Sequence, residues 1–143
     1  MLGSLGTHLS FTPGAITNGR KMTHDCGTSR AIGYFLEFLL CVAPFGKQPL
    51  HLTLTGITND NRDPTVDIIR TVTLPLLKRF EIEEGLELKV TKRGAPPGGG
   101  GEVVVQCPVV RQVKPLRLIE AGKIKRVRGL AYSTRVAPTL CGR

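Results

Sequence analysis

The chain has 143 residues, of which 41% are hydrophobic, and a formal net charge of +9 at pH 7. This length and apolar content suit one domain with a buried core and argue against a disordered chain. The most apolar window, residues 35–45, contains Glu37 and Pro44. It is also shorter than the ~20 residues that a membrane-spanning helix needs, so we expect a core helix and no membrane partner.

The four cysteines lie far apart, at positions 26, 41, 107 and 141, without the CxxC or Cys-His spacing of a zinc site. The N-terminus lacks the basic region and continuous apolar run of a secretory signal. We therefore expect reduced thiols, no metal site and no cofactor.

Residues 1–22 are rich in Gly, Ser and Thr and hold one strand-like run, His8–Thr12. Apolar residues then recur at helical spacing and predict a first helix over 25–43, started by Asp25 and ended at Pro44. Apart from that run, no strand is predicted before this helix. Alternating Leu and polar residues predict a strand over 50–55.

Asp63-Pro64 predicts the start of a second helix, over 64–80, with Asp63 as its cap and Pro75 as a kink or local break. Residues 86–93 and 102–107 read as two strands of a hairpin, and 114–119 and 123–132 are compatible with further strands. The predicted fold class is α+β, with two helices on one face of a mixed sheet. The second helix would connect strands 50–55 and 86–93 as parallel neighbours.

Positive charge is concentrated in the C-terminal part of the chain. Residues 89–143 contain twelve basic and two acidic residues, against eight and nine in residues 1–88. Such a cluster favours a polyanion partner, although an acidic protein surface or plain solvation would also explain it. Tyr132 is the only aromatic residue nearby, so no base-stacking platform is predicted. The candidate RNA-binding residues are Lys92, Arg93, Lys123, Lys125, Arg126 and Arg128.

The glycine run of the predicted hairpin offers a second candidate site. Successive glycines let backbone N–H groups converge on an anion, so Gly98, Gly99, Gly100 and Gly101 are a candidate phosphate contact. A flexible hairpin connection explains the run more simply, because no Lys-Ser or Lys-Thr and no helix follow it as in a P-loop.

Two polar clusters suggest chemistry but have simpler explanations. His24, Asp25, Cys26 and Ser29 surround a predicted helix start, where such residues usually cap the helix. Asp60, Asp63 and Asp67 could bind a cation, but capping by Asp63 explains the pattern. We therefore predict no catalytic residue and no metal ligand.

Five runs carry a family resemblance: HDCGTSRAIGYFLEFLL, GITNDNRDPTVD, LPLLKRF, KRGAPPGGGGEV and GKIKRVRGLAYSTRVAP. Over about residues 11–138 the chain resembles the RNA 3′-terminal phosphate cyclase family, specifically its eukaryotic cyclase-like branch. The resemblance implies repeats of a four-stranded sheet with two helices, similar to the C-terminal domain of translation initiation factor 3. It divides the chain into the irregular end of a preceding repeat (1–22), an incomplete cyclase-like domain (23–138) and a divergent tail (139–143), as in a truncated form.

The resemblance also implies a function. Cyclases form a nucleotidyl-histidine in a part of the family pattern that has no counterpart here, and their nucleotide-binding Gln aligns with Tyr34 or Glu37. We therefore expect a non-catalytic protein of the nucleus and nucleolus that acts in small-subunit ribosome biogenesis and 18S pre-rRNA processing. The implied partners are pre-ribosomal RNA, a ribosome-assembly GTPase and proteins of the small-subunit processome. The alternatives are a protein-interaction fragment that docks a nucleolar GTPase, and an RNA 3′-phosphate cyclase.

Overall fold

A computed structural model describes residues 7–17, 19, 21–120 and 122–134. The strands are β1 (Lys21–Asp25), β2 (Leu50–Gly56), β3 (Glu87–Lys92) and β4 (Gly101–Cys107). Helix α1 spans Ile32–Val42 and continues into a 3-10 turn, Ala43–Phe45. A second helical segment consists of α2 (Val66–Ile68), a π-helical turn (Ile69–Thr73) and α3 (Leu74–Arg79).

The four described strands form one mixed sheet in the order β1-β2-β4-β3. β1 and β2 are parallel, whereas β4 is antiparallel to both β2 and β3. The predicted α+β class, a mixed sheet with two helices, and the β3–β4 hairpin are confirmed. The predicted direct pairing of strands 50–55 and 86–93 is wrong, because β4 lies between them. The apolar Val103–Val105 run suits the centre of the sheet, and the charged β3 suits its edge.

The core lies between the helices and one face of the sheet. Leu52 and Leu54 of β2 stand in register with Val105 and Val103 of β4, and all four are buried. The helices cover this face with apolar residues at helical spacing. They contribute Ile32, Leu36 and Leu40 from α1, and Val66, Ile69 and Leu74 from the second segment.

The first helix is shorter than predicted and a strand precedes it. Residues 21–25 form β1, and α1 begins only at Ile32. Between them Asp25 Oδ1 accepts a hydrogen bond from Gly27 N at 2.9 Å, and Gly27 has φ +68°. β1 gives no alternating signal, because all five of its residues are exposed. The run at 8–12 is not a strand; Leu9 forms only an isolated bridge.

The second helix begins with a different cap from the predicted one. Thr65 Oγ1 accepts a hydrogen bond from Ile68 N at 3.2 Å, whereas Asp63 is engaged elsewhere. The predicted local break near Pro75 is confirmed as the π-helical turn at Ile69–Thr73. Proline lacks the N–H of a regular helical hydrogen bond and crowds the preceding turn, which a wider turn accommodates.

After β4 the chain forms no further strand within the part that the structure describes, so the predicted strands at 114–119 and 123–132 are wrong. Val110 and Val113 still pack against the core, and Val110 N donates to Pro44 O at 2.8 Å. The later residues are basic and largely exposed, so no apolar face draws them onto the sheet. Among the described residues, no helix has the length and apolar character to cross a membrane.

Candidate nucleic-acid interface

A partly buried ion pair connects the β3–β4 hairpin to the second helix. Arg93 Nη1 and Nη2 donate to the two carboxylate oxygens of Asp67 at 2.7 and 2.8 Å. Asn59 Nδ2 donates to the same carboxylate at 3.1 Å. The hydrogen bonds from Arg93 hold the pKa of Asp67 below its usual value despite burial. Asp67 therefore remains ionised and fixes the Arg93 guanidinium.

A second pair connects α1 to the loop before α2. Arg30 Nε lies 3.0 Å from each carboxylate oxygen of Asp63, and Ala31 N donates to Asp63 Oδ2 at 2.8 Å. The Arg30 hydrogen bond lowers the pKa of Asp63. Asp63 thus binds the start of α1 instead of capping the second helix. Within the described ranges, no three His, Cys, Asp or Glu side chains are grouped to hold a metal ion.

The glycine run is packed tightly against other backbone. A Cβ on Gly94 would lie 2.2 Å from Gly101 N, and one on Gly101 would lie 2.6 Å from Thr58 Cγ2. Thr58 N and Oγ1 both donate to Gly94 O, at 2.9 and 3.0 Å. Close approach therefore explains why glycine is needed at both ends of the loop.

The phosphate-contact hypothesis concerns the tip of the same loop. Gly99 is buried and its N–H donates to Ala95 O at 3.0 Å, so it is not available to an anion. Gly98 and Gly100 are exposed and line a pocket of about 270 Å³ beside Asp25. The Asp25 carboxylate repels anions, which disfavours phosphate at this position.

The basic candidates lie in two different settings. Lys92 is exposed on β3, 3.7 Å from Glu102, and Arg93 is held by Asp67. Four other candidates lie in the largely exposed segment after β4, which we call the basic segment (residues 108–134). It contains seven Lys and Arg residues and one Glu. These exposed candidates are Lys123, Lys125, Arg126 and Arg128.

The end of the basic segment lies against the second helix. The Arg93 guanidinium carbon lies 4.5 Å from the centroid of the Tyr132 ring, a cation–π distance. Arg128 and Tyr132 line a groove of about 730 Å³ together with Asn59 and Arg70. Tyr132 therefore contacts Arg93 and lines the same groove as Arg128. Neither Asn59 nor Arg70 was predicted from the sequence to be a site residue.

The polar residues at the end of β1 do not form an activated nucleophile. The His24 ring meets Phe35 edge-on, with centroids 5.8 Å apart. Burial, with a smaller contribution from Asp25, raises the pKa of Cys26 to about 11, so its thiol is protonated at neutral pH. Tyr34 stacks beneath Arg30 at 3.7 Å and offers no amide to a nucleotide.

The chain is similar to known proteins over nearly its whole length. The family model of RNA 3′-terminal phosphate cyclase matches residues 2–138. RNA 3′-terminal phosphate cyclase-like proteins from Bos taurus and Dictyostelium discoideum are 54% and 53% identical over 143 and 142 residues. An rRNA processing protein from Schizosaccharomyces pombe is 50% identical over 140 residues.

These matches cover 99%, 99% and 96% of the chain but only 38% of each relative. The chain therefore spans well under half the length of these relatives. Because the family model matches almost all of its residues, the chain belongs to the RNA 3′-terminal phosphate cyclase family, as a stretch similar to the cyclase-like proteins.

Proposed function

We propose that this chain is a non-catalytic RNA-binding module that acts in rRNA processing, specifically in 18S pre-rRNA processing during small-subunit ribosome biogenesis. Its partners in this proposal are pre-ribosomal RNA, a ribosome-assembly GTPase and proteins of the small-subunit processome. Its place of action is the nucleolus. The 50% identity to a protein named for rRNA processing supports the general role.

The observation that carries RNA binding is the exposed basic segment. Lys123, Lys125, Arg126 and Arg128 have no acidic partner among the described residues, so their charges are available to phosphates. Releasing counterions from RNA would favour such contacts and make them sensitive to salt. Ile124 and Val127, 92% and 89% exposed, alternate with these cations, so the stretch from 123 to 128 has no packed inner face. It can therefore adapt to an RNA backbone.

The contacts should position RNA without reading its sequence. Lys and Arg side chains that bind phosphates carry no base specificity by themselves. Lys92 lies on the sheet and would extend the contact, whereas the Arg93 guanidinium is largely used by Asp67. We therefore assign Arg93 a smaller direct share of the affinity than the four residues of the basic segment.

The absence of catalysis in this proposal rests on the described polar residues. Cys26 is buried and protonated, and Arg30 occupies the face of Tyr34. The test is denaturing electrophoresis after incubation of the chain with radiolabelled ATP. Label that stays covalently on the protein would contradict the non-catalytic assignment.

The RNA-binding test is a gel-shift titration of structured RNA against the whole chain at several salt concentrations. We expect binding that weakens steeply with salt, and at least a tenfold loss of affinity in the Lys125→Glu, Arg128→Glu variant. The matched control is Lys47→Glu with Lys78→Glu, which makes the same change in net charge on the exposed surface of the folded unit.

Equal losses of RNA affinity in the two double variants would mean that binding depends on net charge alone. Such a result would contradict an interface in the basic segment. Binding that is absent at low salt would also contradict it. Pull-down from nucleolar extract before and after nuclease treatment separates the partners: proteins lost after treatment were bridged by RNA, and a retained GTPase indicates direct docking.

A further inference from the structure

The outer edge of β1 is the more regular and less positively charged of the two edges of the described sheet. β1 is the first strand of the sheet, and among the described residues it pairs only with β2. All five of its residues are exposed, and their register with β2 is regular from Lys21 to Asp25. Proteins block such edges with bulges, with charged side chains or by keeping the strand short, and β1 combines a short strand with a single lysine and no bulge.

The opposite edge of the sheet shows that protection. β3 carries Lys89 and Lys92, and its register with β4 shifts between Val90 and Lys92. A shifted and positively charged edge resists the addition of another strand. Of these two edges of the described sheet, the β1 edge is therefore the better suited to an added strand.

The backbone of β1 fixes which groups an added strand would meet. Cys26 N donates to Thr55 O at 2.9 Å, so the peptide groups of the even-numbered residues face β2. Because peptide groups alternate along a strand, those of Lys21, Thr23 and Asp25 face outward. An antiparallel partner centred on Thr23 would meet these three residues as hydrogen-bonded pairs.

The charges of β1 are complementary to a second copy of β1. In an antiparallel pair related by a twofold axis at Thr23, Lys21 of each copy lies opposite Asp25 of the other. Lys21 has no ion-pair partner among the described residues. Among the described residues, Asp25 accepts hydrogen bonds at Oδ1, from Gly27 N and, at 3.4 Å, from Thr55 Oγ1. Its Oδ2 accepts none in the described structure and is available to a lysine. Opposite charges placed directly across two strands stabilise the pair.

The helix side of this edge is apolar. Met22 and His24 stand in register with Leu52 and Leu54, and therefore point to the side of the sheet that carries α1. There they line a groove of about 750 Å³ with Tyr34 and Phe38, which are 45% and 69% exposed. A second copy would bring its own α1 to the same side and cover both sets of apolar side chains.

We propose that two copies of this chain associate through antiparallel pairing of their β1 strands, in the register Lys21–Asp25, Thr23–Thr23 and Asp25–Lys21. The two sheets then become one continuous eight-stranded sheet, and the two α1 grooves face each other. This association does not use the basic segment and is independent of RNA binding.

The test is sedimentation velocity of the whole chain from low to high micromolar concentration. We expect the mass to rise from the 15.5 kDa of one chain towards twice that value. Lys21→Asp places Asp opposite Asp25, and Asp25→Lys places Lys opposite Lys21, so each variant alone should remain a monomer. An equimolar mixture restores both opposite-charge pairs and should form a heterodimer.

The control is Lys89→Asp on β3, which should leave the dimer unchanged. Circular dichroism must show that each variant is folded. A wild-type chain that stays monomeric throughout would overturn the proposal. So would a dimer that survives Lys21→Asp, or a mixture of the two charge variants that remains monomeric, because either would exclude this register.

Discussion

The Arg93 guanidinium forms two parallel hydrogen bonds with the Asp67 carboxylate, at 2.7 and 2.8 Å. Arg93 follows β3 and Asp67 lies in α2, 26 residues earlier in the chain. The pair therefore joins the hairpin to the second helix, and Asp67 is only 8% exposed. A paired arrangement of this kind is strong because arginine and carboxylate match in geometry and charge.

Arg93→Gln should lower the free energy of unfolding by about 2 kcal/mol, since it leaves a buried carboxylate without its main donor. Urea unfolding measures the change. Arg70→Gln is the control: Arg70 lies 3.5 Å from the same carboxylate but is more exposed. Its loss should cost no more than about 0.5 kcal/mol. Equal effects of the two substitutions would contradict the role given to Arg93.

Acid should destabilise the protein through Asp63 and Asp67, whose folded-state pKa values are lowered mainly by hydrogen bonds from Arg30 and Arg93. The unfolded chain binds protons at higher pH than these folded carboxylates do. Their stabilisation is therefore complete above the unfolded value of about 4 and is lost as the pH falls through their folded values.

Asp63→Asn should accordingly reduce the difference in unfolding free energy between pH 6 and pH 3. Urea unfolding at both values measures it, and Glu84→Gln, at an exposed position, is the control. If Asp63→Asn left both the pH dependence and the free energy of unfolding at pH 6 unchanged, the ion pair of Asp63 with Arg30 would not stabilise the protein.

The cysteines should differ sharply in reactivity. Cys41 is exposed, whereas burial raises the pKa of both Cys26 and Cys107 to about 11. The experiment uses a Cys141→Ala background, which removes a residue outside the described ranges. At pH 7.5 a thiol reagent should label Cys41 rapidly, and Cys41→Ser should remove this fast phase. Cys26 and Cys107 should react only in denaturant. Rapid labelling of Cys26 in the folded chain would contradict its burial and reopen a catalytic role.

The glycine loop should tolerate substitution at its tip but not at its base. Gly94→Ala would place a Cβ 2.2 Å from Gly101 N, and the clash involves backbone that cannot rotate away. We expect a loss of several kcal/mol or failure to fold. Gly100→Ala meets nothing within 4 Å and carries only the strain of φ +80°, so its cost should be about 1 kcal/mol. Similar thermal stability of the two variants would contradict this packing.

The sequence by itself determined the elements that have a strong local pattern. Alternation of apolar and polar residues identified β2 and β3, and the EVVVQC run after the glycine loop identified β4. Helical spacing located the second half of the first predicted helix, and Pro75 indicated the break that became the π-helical turn. The family resemblance came from whole runs of residues, which are more specific than any single position, and the cyclase model that matches residues 2–138 confirmed it.

Only the tertiary structure decided how distant residues pair. The exposed β1 has no periodicity of its own and becomes a strand because β2 offers it a backbone edge. Asp63 had the spacing of a helix cap, but Arg30, 33 residues away, provides a stronger charged partner. The basic runs after residue 113 have strand-compatible composition, yet no sheet edge takes them up within the described residues. Local pattern cannot foresee such outcomes, because hydrogen bonds and ion pairs between distant segments depend on where the whole chain places them.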